Sequence, residues 1–410
     1  MGGAEVALLN IFAAVREAQP EWQLALIVSD EGPLADRAKE LGVSVSVLPF
    51  PASVARLGDA SVGEPAGKQT GRLRLLGRLV FAGPRIAAYN LRLGKTIRRL
   101  EPDVIQTNGF KMHILGALAR PAGTPLIWHI HDYVSTRPFM ARLIKFFRKR
   151  CSLVLANSDS VKRDIESVCG ETVKVQTLYN AVDTSEFSPD GPCLDLDELS
   201  GLIPRSQEAI VRVGLLATFG RWKGHEIFLR ALSLLPGDIA WRGYVIGGAA
   251  YQTDGSQYSM EELKSLAQDL GISNRVGFTG FVEQPAAAMR SLDIVVHAST
   301  QPEPFGLVII EAMATGRAVI VSEAGGASEL IHTNGRSNGD AEINALGHAP
   351  GDGKALAERI TQLANDPHLR WRLAAAGRAT AERRFDLGRL KEDLLPIYRS
   401  LVAARGVDVG

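Results

Sequence analysis

The chain has 410 residues, of which 46% are hydrophobic and 22% charged, and its net charge is +1. This length and composition are typical of a globular protein with two or three domains. The three cysteines (Cys151, Cys169 and Cys193) are scattered and lack metal-binding spacing, so neither a disulfide framework nor a zinc site is expected. No apolar run has transmembrane length and no signal sequence opens the chain, which predicts a cytoplasmic protein.

Charge is distributed unevenly along the chain. Residues 51–150 carry 18 Lys and Arg against 5 Asp and Glu, whereas the remaining residues carry 28 against 40. A local excess of this size is typical of a surface that faces something anionic. An anionic membrane surface is one expected partner, and nucleic acid is not expected.

Short β-branched runs alternate with helical patterns through the first half of the chain. The runs that predict strands are LALIVSD (24–30), SVSVLPF (44–50), DVIQTN (103–108), PLIWHIHD (125–132), LVLANS (153–158) and KVQTLYN (174–180). Strands that alternate with helices predict a parallel sheet with helices on both faces. Residues 58–70 lack apolar periodicity and are predicted to form a loop.

A second set of strands follows in the second half of the chain. Its members are AIVRVGLLA (209–217), GYVIGG (243–248), RVGFTGF (275–281), DIVVHAS (293–299) and AVIVSEA (318–324). Helices are predicted between them, for example over 259–270 and 353–366. Between the two sets, residues 188–208 are rich in Pro, Gly and acid, and their Asp195 and Asp197 are interpreted as part of a solvated stretch.

These patterns predict an α/β protein with two doubly wound domains. The predicted organisation is an N-terminal Rossmann-like domain (1–188), a linker (189–207), a C-terminal Rossmann-like domain (208–385) and a final helix (386–410) that packs back on the N-terminal domain. The two domains are expected to face one another across a cleft.

The segment EPFGLVIIEAMATG (303–316) contains two glutamates in an apolar setting. Pro304 suits a first helical position, so the helix is predicted to begin close to Phe305 and Gly306. Glu311 lies inside this helix and needs partners, because an isolated buried charge is very costly. Two interpretations remain open, an ordinary salt bridge at a solvated edge or a ligand rich in hydroxyl groups.

Three glycine-bearing loops directly follow predicted strands of the second half, and ligands of open parallel sheets bind at that edge. In GRWKG (220–224), glycines and two cations precede a helix, which suits a diphosphate. GFTGFVEQ (277–284) and SEAGGASEL (322–330) are further candidates, although ordinary turn chemistry explains either alone. The chain has no GxGxxG or Walker motif and no GxSxG elbow between a strand and a helix, so the sequence gives little support for a dehydrogenase, an NTPase or a hydrolase.

HIHD (129–132) ends a predicted strand of the first half. His129 and His131 lie on one face of that strand because side chains alternate with a period of two. A lone histidine is more often structural than catalytic, so the pattern alone does not favour substrate contact.

Taken in order, these motifs resemble those of the family 4 retaining glycosyltransferases, which have the GT-B fold. Residues 303–311 resemble the E-x7-E element of the family, and GGAE (2–5) resembles its first glycine loop. LYNAVDTSEFSP (178–189) resembles its interdomain crossing, and GGASEL (325–330) resembles its late glycine loop. The resemblance covers nearly the whole chain.

The resemblance implies roles for individual residues. Glu303 would contact the transferred sugar and Glu311 the ribose of the nucleotide. Arg221 and Lys223 would neutralise the departing diphosphate, and His131 would reach into the cleft from the first domain. Further donor contacts are implied for Phe305, Gly306, Leu307, Gly280, Phe281 and Val282, and an acceptor-side loop for Gly2, Gly3 and Asn108.

The implied activity is retaining transfer of a hexose-type sugar from a nucleotide-diphosphate sugar to the hydroxyl of a lipid-linked or saccharide acceptor, in glycoconjugate synthesis. No cofactor and no metal ion are expected, since the nucleotide sugar is itself the donor substrate. Two alternatives remain open. They are a GT-B sugar-nucleotide epimerase and a non-catalytic, membrane-associated protein that binds a sugar nucleotide.

Two features depart from the family pattern. Only Trp222 separates Arg221 from Lys223, whereas the family usually places several residues between them. The chain also begins at the first glycine loop, and the first strand of the N-terminal domain, normally central, is missing. An N-terminal truncation is therefore expected, with the natural reading frame beginning upstream.

A basic amphipathic segment, RPFMARLIKFFRKR (137–150), interleaves aromatic residues with Lys and Arg. One interpretation is a helix with its apolar face in the core and a solvated basic face. The other is a peripheral membrane surface, on the inner face of the membrane, that brings a lipid-linked acceptor to the site.

Overall fold

The computed structural model describes residues 1–51, 72–170, 172–203, 210–249, 255–331 and 343–404. The loop predicted over 58–70 lies outside these ranges. The chain forms two compact units, one of Met1–Asn180 with Gly388–Gly410 and the other of Ala181–Leu387.

The described part of the first unit contains two parallel sheets. A two-stranded sheet pairs β1 (Ala25–Val28) with β2 (Ser44–Val47). A four-stranded sheet has the order β3-β4-β5-β6, with the bounds Ile105–Asn108, Leu126–Ile130, Leu153–Ala156 and Val175–Thr177. All the strands predicted for the first half are confirmed, because each is a short β-branched or apolar run between helical patterns.

Helices cover both sheets of the first unit. They are α1 (Gly3–Ala18), α2 (Pro33–Glu40), α3 (Arg72–Leu100), α4 (Phe110–Ala119), α5 (Pro138–Phe147) and α6 (Asp159–Cys169). The core between α4, α5, α6 and the four-stranded sheet is fully buried, with Trp128, Ile144 and Ile165 at 0% exposure. Ser158 caps α6, since its side chain accepts a hydrogen bond from the backbone N–H of Val161.

The described part of the second unit is built on one six-stranded parallel sheet of the order β12-β11-β10-β7-β8-β9. The bounds are β7 (Val211–Leu216), β8 (Trp241–Ile246), β9 (Val276–Gly280), β10 (Ile294–His297), β11 (Ala318–Ser322) and β12 (Leu346–His348). The five strands predicted for this half are confirmed. The sequence does not predict β12, because its Leu-Gly-His run is short and carries no β-branched residue. The strand order reverses between β7 and β10, which is where ligands of doubly wound sheets bind.

The described helices of the second unit precede, separate and follow these strands along the chain. They are α7 (Leu196–Ser200), α8 (His225–Ser233), α9 (Met260–Asp269), α10 (Pro285–Arg290), α11 (Leu307–Ala314), α12 (Ser328–Ile331), α13 (Gly353–Asn365) and α14 (Pro367–Phe385). The helices predicted over 259–270 and 353–366 are confirmed as α9 and α13. A capping box of Ser259 and Glu262 fixes the start of α9.

The acidic stretch that the sequence predicts to be solvated is packed on the second unit. Asp195 caps α7 by accepting hydrogen bonds from two backbone N–H groups. Asp197 is only 7% exposed, and its carboxylate accepts a hydrogen bond from Tyr244 at 2.7 Å and forms an ion pair with Arg242. The solvated interpretation is therefore wrong for Asp197, because Arg242 is buried on β8 and needs a counter-charge.

The last described helix, α15 (Leu387–Ala403), packs on the first unit. Its Lys391 contacts Glu17 at 2.6 Å, and Arg389 donates to the carbonyl oxygens of Tyr179 and Asn180 at 3.0 Å. These contacts join the end of the chain to α1 and to the segment after β6.

Candidate active site

Two loops of the second unit leave the sheet at the point where the strand order reverses. The loop after β7 contains a 3-10 turn (Arg221–Lys223), and the loop after β10 contains Glu303. The backbone N–H of Thr300 donates to the carbonyl oxygen of Trp222 at 2.8 Å. The two loops are thus joined, and their side chains meet at the carboxyl edge of the central strands.

Glu303 lies at the centre of a hydrogen-bonded network. Lys223 Nζ is 2.7 Å and 3.0 Å from its two carboxylate oxygens, and Ser299 Oγ donates to it at 2.8 Å. His297 Nε2 lies 3.5 Å from the same carboxylate. Burial works to raise the pKa of Glu303, but the ammonium of Lys223, assisted by His297, holds that pKa well below its usual range. Glu303 is therefore a carboxylate at neutral pH.

The backbone of Glu303 is held by the glycine loop that follows β11. Its N–H donates to the carbonyl oxygen of Ala324 at 3.3 Å, and its carbonyl oxygen accepts from Gly326 N–H at 2.8 Å. The predicted SEAGGASEL loop thus supports the site through the main chain. A carboxylate fixed by backbone and side-chain contacts is preorganised for a ligand.

Gly224 allows the two loops to approach closely. Its φ is +79°, and a Cβ atom at this position would lie 1.9 Å from the carbonyl oxygen of Ala298. Only glycine fits such an approach at a positive φ. The residue therefore places Lys223 beside the loop after β10 and starts α8 at His225.

Helix α11 begins at Leu307, three residues after Pro304. The start predicted close to Phe305 and Gly306 is one residue early, because Gly306, with a φ of +98°, is the N-cap, and Pro304 lies before the helix instead of at its first position. Phe305 is buried and its ring packs edge-on against Phe385 at a centroid distance of 6.0 Å. The loop over 303–306 is thus a turn that presents backbone N–H groups at the start of α11.

Glu311 is partly buried in the second turn of α11. Burial and, as the lesser cause, the nearby charge of Glu186 together raise its pKa to about 7. Among the described residues, no side chain donates a hydrogen bond to this carboxyl group. Its ionised form therefore lacks the partners that Glu303 has.

The loop after β9 also lies at the carboxyl edge of the sheet. Gly280 has a φ of +73°, and its carbonyl oxygen accepts from Gly247 N–H at 2.9 Å. The ring of Phe281 is 66% exposed and covers Gly248, where an added Cβ would lie 2.7 Å from the ring. The loop of Gly280, Phe281 and Val282 therefore presents a flat, exposed apolar surface, the ring of Phe281, beside glycines.

The two predicted cations have different partners. Lys223 is paired with Glu303, whereas Arg221 donates to Glu262 at 2.9 Å and stacks over the ring of Tyr258 at 4.2 Å. The guanidinium of Arg221 also donates to the carbonyl oxygen of Gly255 at 3.1 Å. Arg221 is thus fixed on the side of β8 and α9, while Lys223 is fixed at the carboxylate.

The other predicted residues belong to the first unit. Gly3 begins α1, and the N–H of Gly2 donates to the carboxylate of Glu5 at 2.7 Å. Asn108 ends β3, and His131 follows β4 directly. Burial lowers the pKa of His131 to about 4, so this imidazole is neutral at pH 7.

The sequence does not single out His297 or Ser299, although both contact Glu303. Both follow the apolar residues of DIVVHAS, at the carboxyl end of β10 where ligand contacts are expected. The rule that ligands bind at the carboxyl ends of parallel strands identifies His297 and Ser299 when it is applied to every residue at a strand end and not only to glycine loops. Gln106 and Tyr398 are likewise not predicted, and their contact joins positions far apart in the chain.

The part of the chain that the structure describes contains neither a group of metal ligands nor a candidate membrane span. No group of three or more His, Cys, Asp or Glu side chains is placed there to hold a metal ion. In the same ranges, no helix has both the length and the apolar character needed to cross a bilayer.

Two sequence-family models match the chain. The model described as glycosyl transferases group 1 matches residues 207–380, and the model described as glycosyltransferase family 4 matches residues 32–186. The chain belongs to the family 4 type of glycosyltransferases. This membership confirms the resemblance carried by the motif at 303–311 and by the glycine loops.

Curated relatives of this family 4 glycosyltransferase include two proteins of lipopolysaccharide core biosynthesis. The mannosyltransferase LpsB of Rhizobium meliloti is 28% identical over 263 residues, which are 63% of this chain and 68% of LpsB. The mannosyltransferase LpcC of Rhizobium leguminosarum bv. viciae is 31% identical over 229 residues, 55% of this chain and 58% of LpcC. The chain spans between 52% and 68% of the length of the first four such relatives.

Solved structures match the family 4 glycosyltransferase over nearly its whole length. The crystal structure of Anabaena HepE in complex with UDP has a TM-score of 0.74 and 25% identity, and the match covers 97% of this chain and 96% of HepE. Sucrose-phosphate synthase from Thermosynechococcus elongatus has a TM-score of 0.74 at 20% identity, over 98% of this chain and 94% of the synthase, which supports the fold alone. The predicted GT-B fold class is confirmed.

Proposed function

We propose that this glycosyltransferase moves a hexose-type sugar from a nucleotide-diphosphate sugar to an acceptor hydroxyl, with retention of the anomeric configuration. The observation that carries the proposal is the pairing of Lys223 with Glu303 at the point where the strand order of the second unit reverses. A cation and a fixed carboxylate side by side match a substrate that has an anionic diphosphate next to a polyhydroxylated ring.

Lys223 is the group proposed to bind the diphosphate. Its ammonium is a compact charge on a flexible chain, and 22% of the side chain is exposed, so it can turn from Glu303 to a phosphate. The start of α8 follows at His225, and the positive end of its dipole favours the same negative charge. Charge that develops on the departing diphosphate is thereby stabilised where it forms.

Glu303 is proposed to accept hydrogen bonds from hydroxyl groups of the transferred sugar. Ser299 and His297 hold the carboxylate in place when Lys223 turns to the phosphates. In the retaining reaction proposed here, the acceptor hydroxyl attacks on the face that the diphosphate leaves. The protein then contributes positioning and electrostatic stabilisation.

Glu311 is proposed to bind the ribose, because hydroxyl groups would supply the donors that its carboxyl group lacks in the free protein. Phe281 is proposed to border the base of the nucleotide, since its exposed ring lies at the same carboxyl edge of the sheet. HepE is a structural neighbour crystallised with UDP and with UDP-glucose, which favours a uridine nucleotide as the first donor to test. No metal ion and no cofactor are assigned to the reaction.

The acceptor is proposed to be a glycolipid or saccharide, and the first unit is proposed to lie against an anionic membrane surface. Relatives in lipopolysaccharide core biosynthesis support an acceptor of this kind. On α5, Phe139 and Phe146 are 43% and 75% exposed, and the Lys and Arg residues of the same segment surround them. Exposed aromatics among cations are typical of interfacial helices.

The experiment that tests the proposal begins with nucleotide binding by the full chain. UDP, GDP and ADP are compared by thermal shift and calorimetry, since a ligand at 100 times its Kd stabilises by about 2.7 kcal/mol. The matching nucleotide sugar is then incubated with candidate acceptors, and the anomeric configuration of the product is determined by proton NMR. An inverted product contradicts retention.

Two further outcomes decide between the proposal and its alternatives. Interconversion of the nucleotide sugar without any acceptor would indicate an epimerase. Binding of a nucleotide without turnover of its sugar in any acceptor extract would indicate a non-catalytic binding protein. The Lys223→Ala variant is the control, because a signal that survives this change does not come from the proposed site.

A further inference from the structure

The first unit contains a group of uncharged polar side chains on β3, at the ends of β3, β4 and β5, and on α15. We call it the polar cluster, and its members are Gln106, Asn108, His129, His131, Asn157 and Tyr398. The strand neighbours Asn108 and His129 are paired in register, and the rings of His129 and His131 lie 4.0 Å apart between centroids. The amide of Asn157 donates to the carbonyl oxygen of His131 at 3.4 Å.

A chain of hydrogen bonds fixes which nitrogen of His129 carries the hydrogen. Tyr398 O–H donates to Gln106 Oε1 at 2.8 Å, and Gln106 Nε2 lies 3.4 Å from His129 Nδ1. Because an amide nitrogen only donates, His129 Nδ1 must accept. The hydrogen of this neutral ring is therefore on Nε2, which makes Nε2 a donor.

Several buried atoms of the polar cluster have no hydrogen-bond partner among the described residues. They are His129 Nε2, both ring nitrogens of His131, Asn108 Oδ1 and Asn157 Oδ1. His129 is only 1% exposed, so its donor cannot be satisfied by bulk water. Buried polar groups are nearly always hydrogen-bonded in folded proteins, and such atoms grouped together indicate a place for a ligand or ordered water.

The polar cluster carries no charge at neutral pH. Burial lowers the pKa of His131 to about 4, and no neighbouring acid or base contributes to that shift. Burial also lowers the pKa of His129 well below its usual range, with the neighbouring imidazoles as the lesser cause. None of its six members offers a counter-charge to an ionic group placed among them, and burying an unpaired charge is very costly.

We propose that the polar cluster binds a neutral polyhydroxylated ring of the acceptor, an unmodified sugar or cyclitol, and discriminates against a ring that carries phosphate or carboxylate. A sugar hydroxyl donates one hydrogen bond and accepts others, so neighbouring hydroxyls match a fixed donor on His129 and carbonyl acceptors on Asn108 and Asn157. This inference rests on the proposed function and adds to it the chemical class of the acceptor. Gln106 and Tyr398 act through His129 and are positioning residues.

The test uses the full chain and saturation-transfer NMR at pH 7. The probes are the methyl glycosides of glucose, mannose and galactose, together with myo-inositol, each compared with its monophosphate. The expected result is saturation of at least one neutral probe and clearly weaker saturation of its phosphate. In His129→Leu the Kd for the neutral probe is expected to rise about 2- to 10-fold, the usual effect of one lost neutral hydrogen bond.

Two milder variants keep the test decisive if His129→Leu fails to fold. His129→Gln can retain a donor near the position of Nε2, so it is expected to recover part of the binding. Tyr398→Phe removes only the hydroxyl that orients Gln106, and it is expected to weaken the neutral probe without affecting nucleotide binding. Thermal unfolding of each variant shows whether it is folded.

Nucleotide calorimetry on the same samples tests the proposed function separately from the inference about the acceptor. If the unmodified chain binds no nucleotide, the proposed function is contradicted, because that function depends on the second unit. The acceptor inference is overturned, with the nucleotide still bound, if phosphorylated probes saturate as strongly as neutral ones. It is also overturned if no neutral probe binds, in which case the cluster holds ordered water only, or if His129→Leu and Tyr398→Phe both bind the neutral probe unchanged.

Discussion

The ammonium of Lys223 contacts both carboxylate oxygens of Glu303, at 2.7 Å and 3.0 Å, although 80 positions separate the two residues in the chain. The side chains are 22% and 15% exposed, so each charge is partly removed from water and depends on the other. In the free protein the pair is a structural link between the loops after β7 and β10. With a donor bound, the same two groups are proposed to separate and bind phosphate and sugar.

The first prediction concerns the stability of this pair. Lys223→Ala leaves the Glu303 carboxylate without its cation, and we expect a loss of about 2 kcal/mol, the usual cost of leaving a partly buried charge unpaired. For a unit of this size, about 2–4 °C of Tm corresponds to 1 kcal/mol, so Tm should fall by about 4–8 °C. The measurement is thermal unfolding without nucleotide.

A double-mutant cycle separates the pair from the individual side chains. In Lys223→Ala with Glu303→Gln no unpaired carboxylate remains, so the double variant should be more stable than Lys223→Ala alone. Additive effects of the two substitutions would mean that the ion pair contributes nothing to folding. Lys354→Ala, at an exposed position of α13, is the matched control for loss of one ammonium.

The second prediction separates the roles of the two glutamates. If Glu311 binds the ribose, its hydrogen bonds form in ground and transition states alike, so Glu311→Ala should mainly weaken nucleotide binding. A hydrogen bond to a charged group contributes about 1.5–3 kcal/mol, or roughly 10- to 150-fold in Kd. Glu303→Ala should instead lower kcat by a similar factor, with little change in affinity for the free nucleotide.

Calorimetry and steady-state rates on both variants provide this comparison. Alanine is the best helix former, so α11 should survive the change at Glu311. Lys223 loses its partner in Glu303→Ala, and tighter binding of the free nucleotide would fit the proposed exchange of partners. Parental nucleotide affinity in Glu311→Ala, or a parental rate in Glu303→Ala, contradicts the assignment of these residues to the donor.

Local sequence patterns predict most of the strands but little of how the side chains meet. Short β-branched runs predict β1 to β11, because strand-forming side chains alternate with helical periods and glycine turns. The pairing of Glu303 with Lys223, and of Asp197 with Arg242, depends on which strands are neighbours in the sheet. That order is a tertiary property, so neither pairing is visible in the local pattern.

The start of α11 shows a second limit of local reasoning. Pro304 predicts a first helical position, and the rule fails because Gly306 turns the chain into the left-handed region before the helix begins. The polar cluster shows a third limit, since Tyr398 and Gln106 are 292 positions apart. Candidate donor-binding residues on strand-end loops follow from the family motifs, whereas their partners on distant elements can be identified only from the fold.

The third prediction concerns α5 and the 3-10 turn (Arg148–Arg150) that follows it. Met140 and Ile144 are buried, whereas Phe139 and Phe146 are exposed, so the helix keeps two aromatics outside its own core. Each Lys or Arg near an anionic surface contributes about 1 kcal/mol, so removing four charges should weaken liposome binding by about 10²- to 10³-fold. The exposed residues to replace by Gln are Arg142, Lys145, Lys149 and Arg150.

Sedimentation with anionic and with zwitterionic liposomes measures this binding. A control variant removes four exposed cations of the second unit, and its substitutions are Lys264→Gln, Lys354→Gln, Arg372→Gln and Arg383→Gln. If the α5 variant and the control variant lose liposome binding equally, net charge alone drives the binding. Unchanged sedimentation of the α5 variant would exclude this segment as the membrane surface.

The fourth prediction is that nucleotide affinity depends on pH through Glu311. Burial raises its pKa to about 7 in the free protein, whereas hydroxyl donors of a ribose favour the ionised carboxylate and would lower that pKa. Binding must then release a proton below pH 7, and Kd should rise about tenfold between pH 8 and pH 6. Calorimetry in buffers of different ionisation enthalpy measures the released proton.

Glu311→Gln is the control for this prediction. Its side chain cannot titrate, so the Kd of this variant should keep only the pH dependence of the nucleotide phosphates. Identical slopes for the parent and Glu311→Gln would show that another group titrates and that Glu311 does not meet the ribose as a carboxylate.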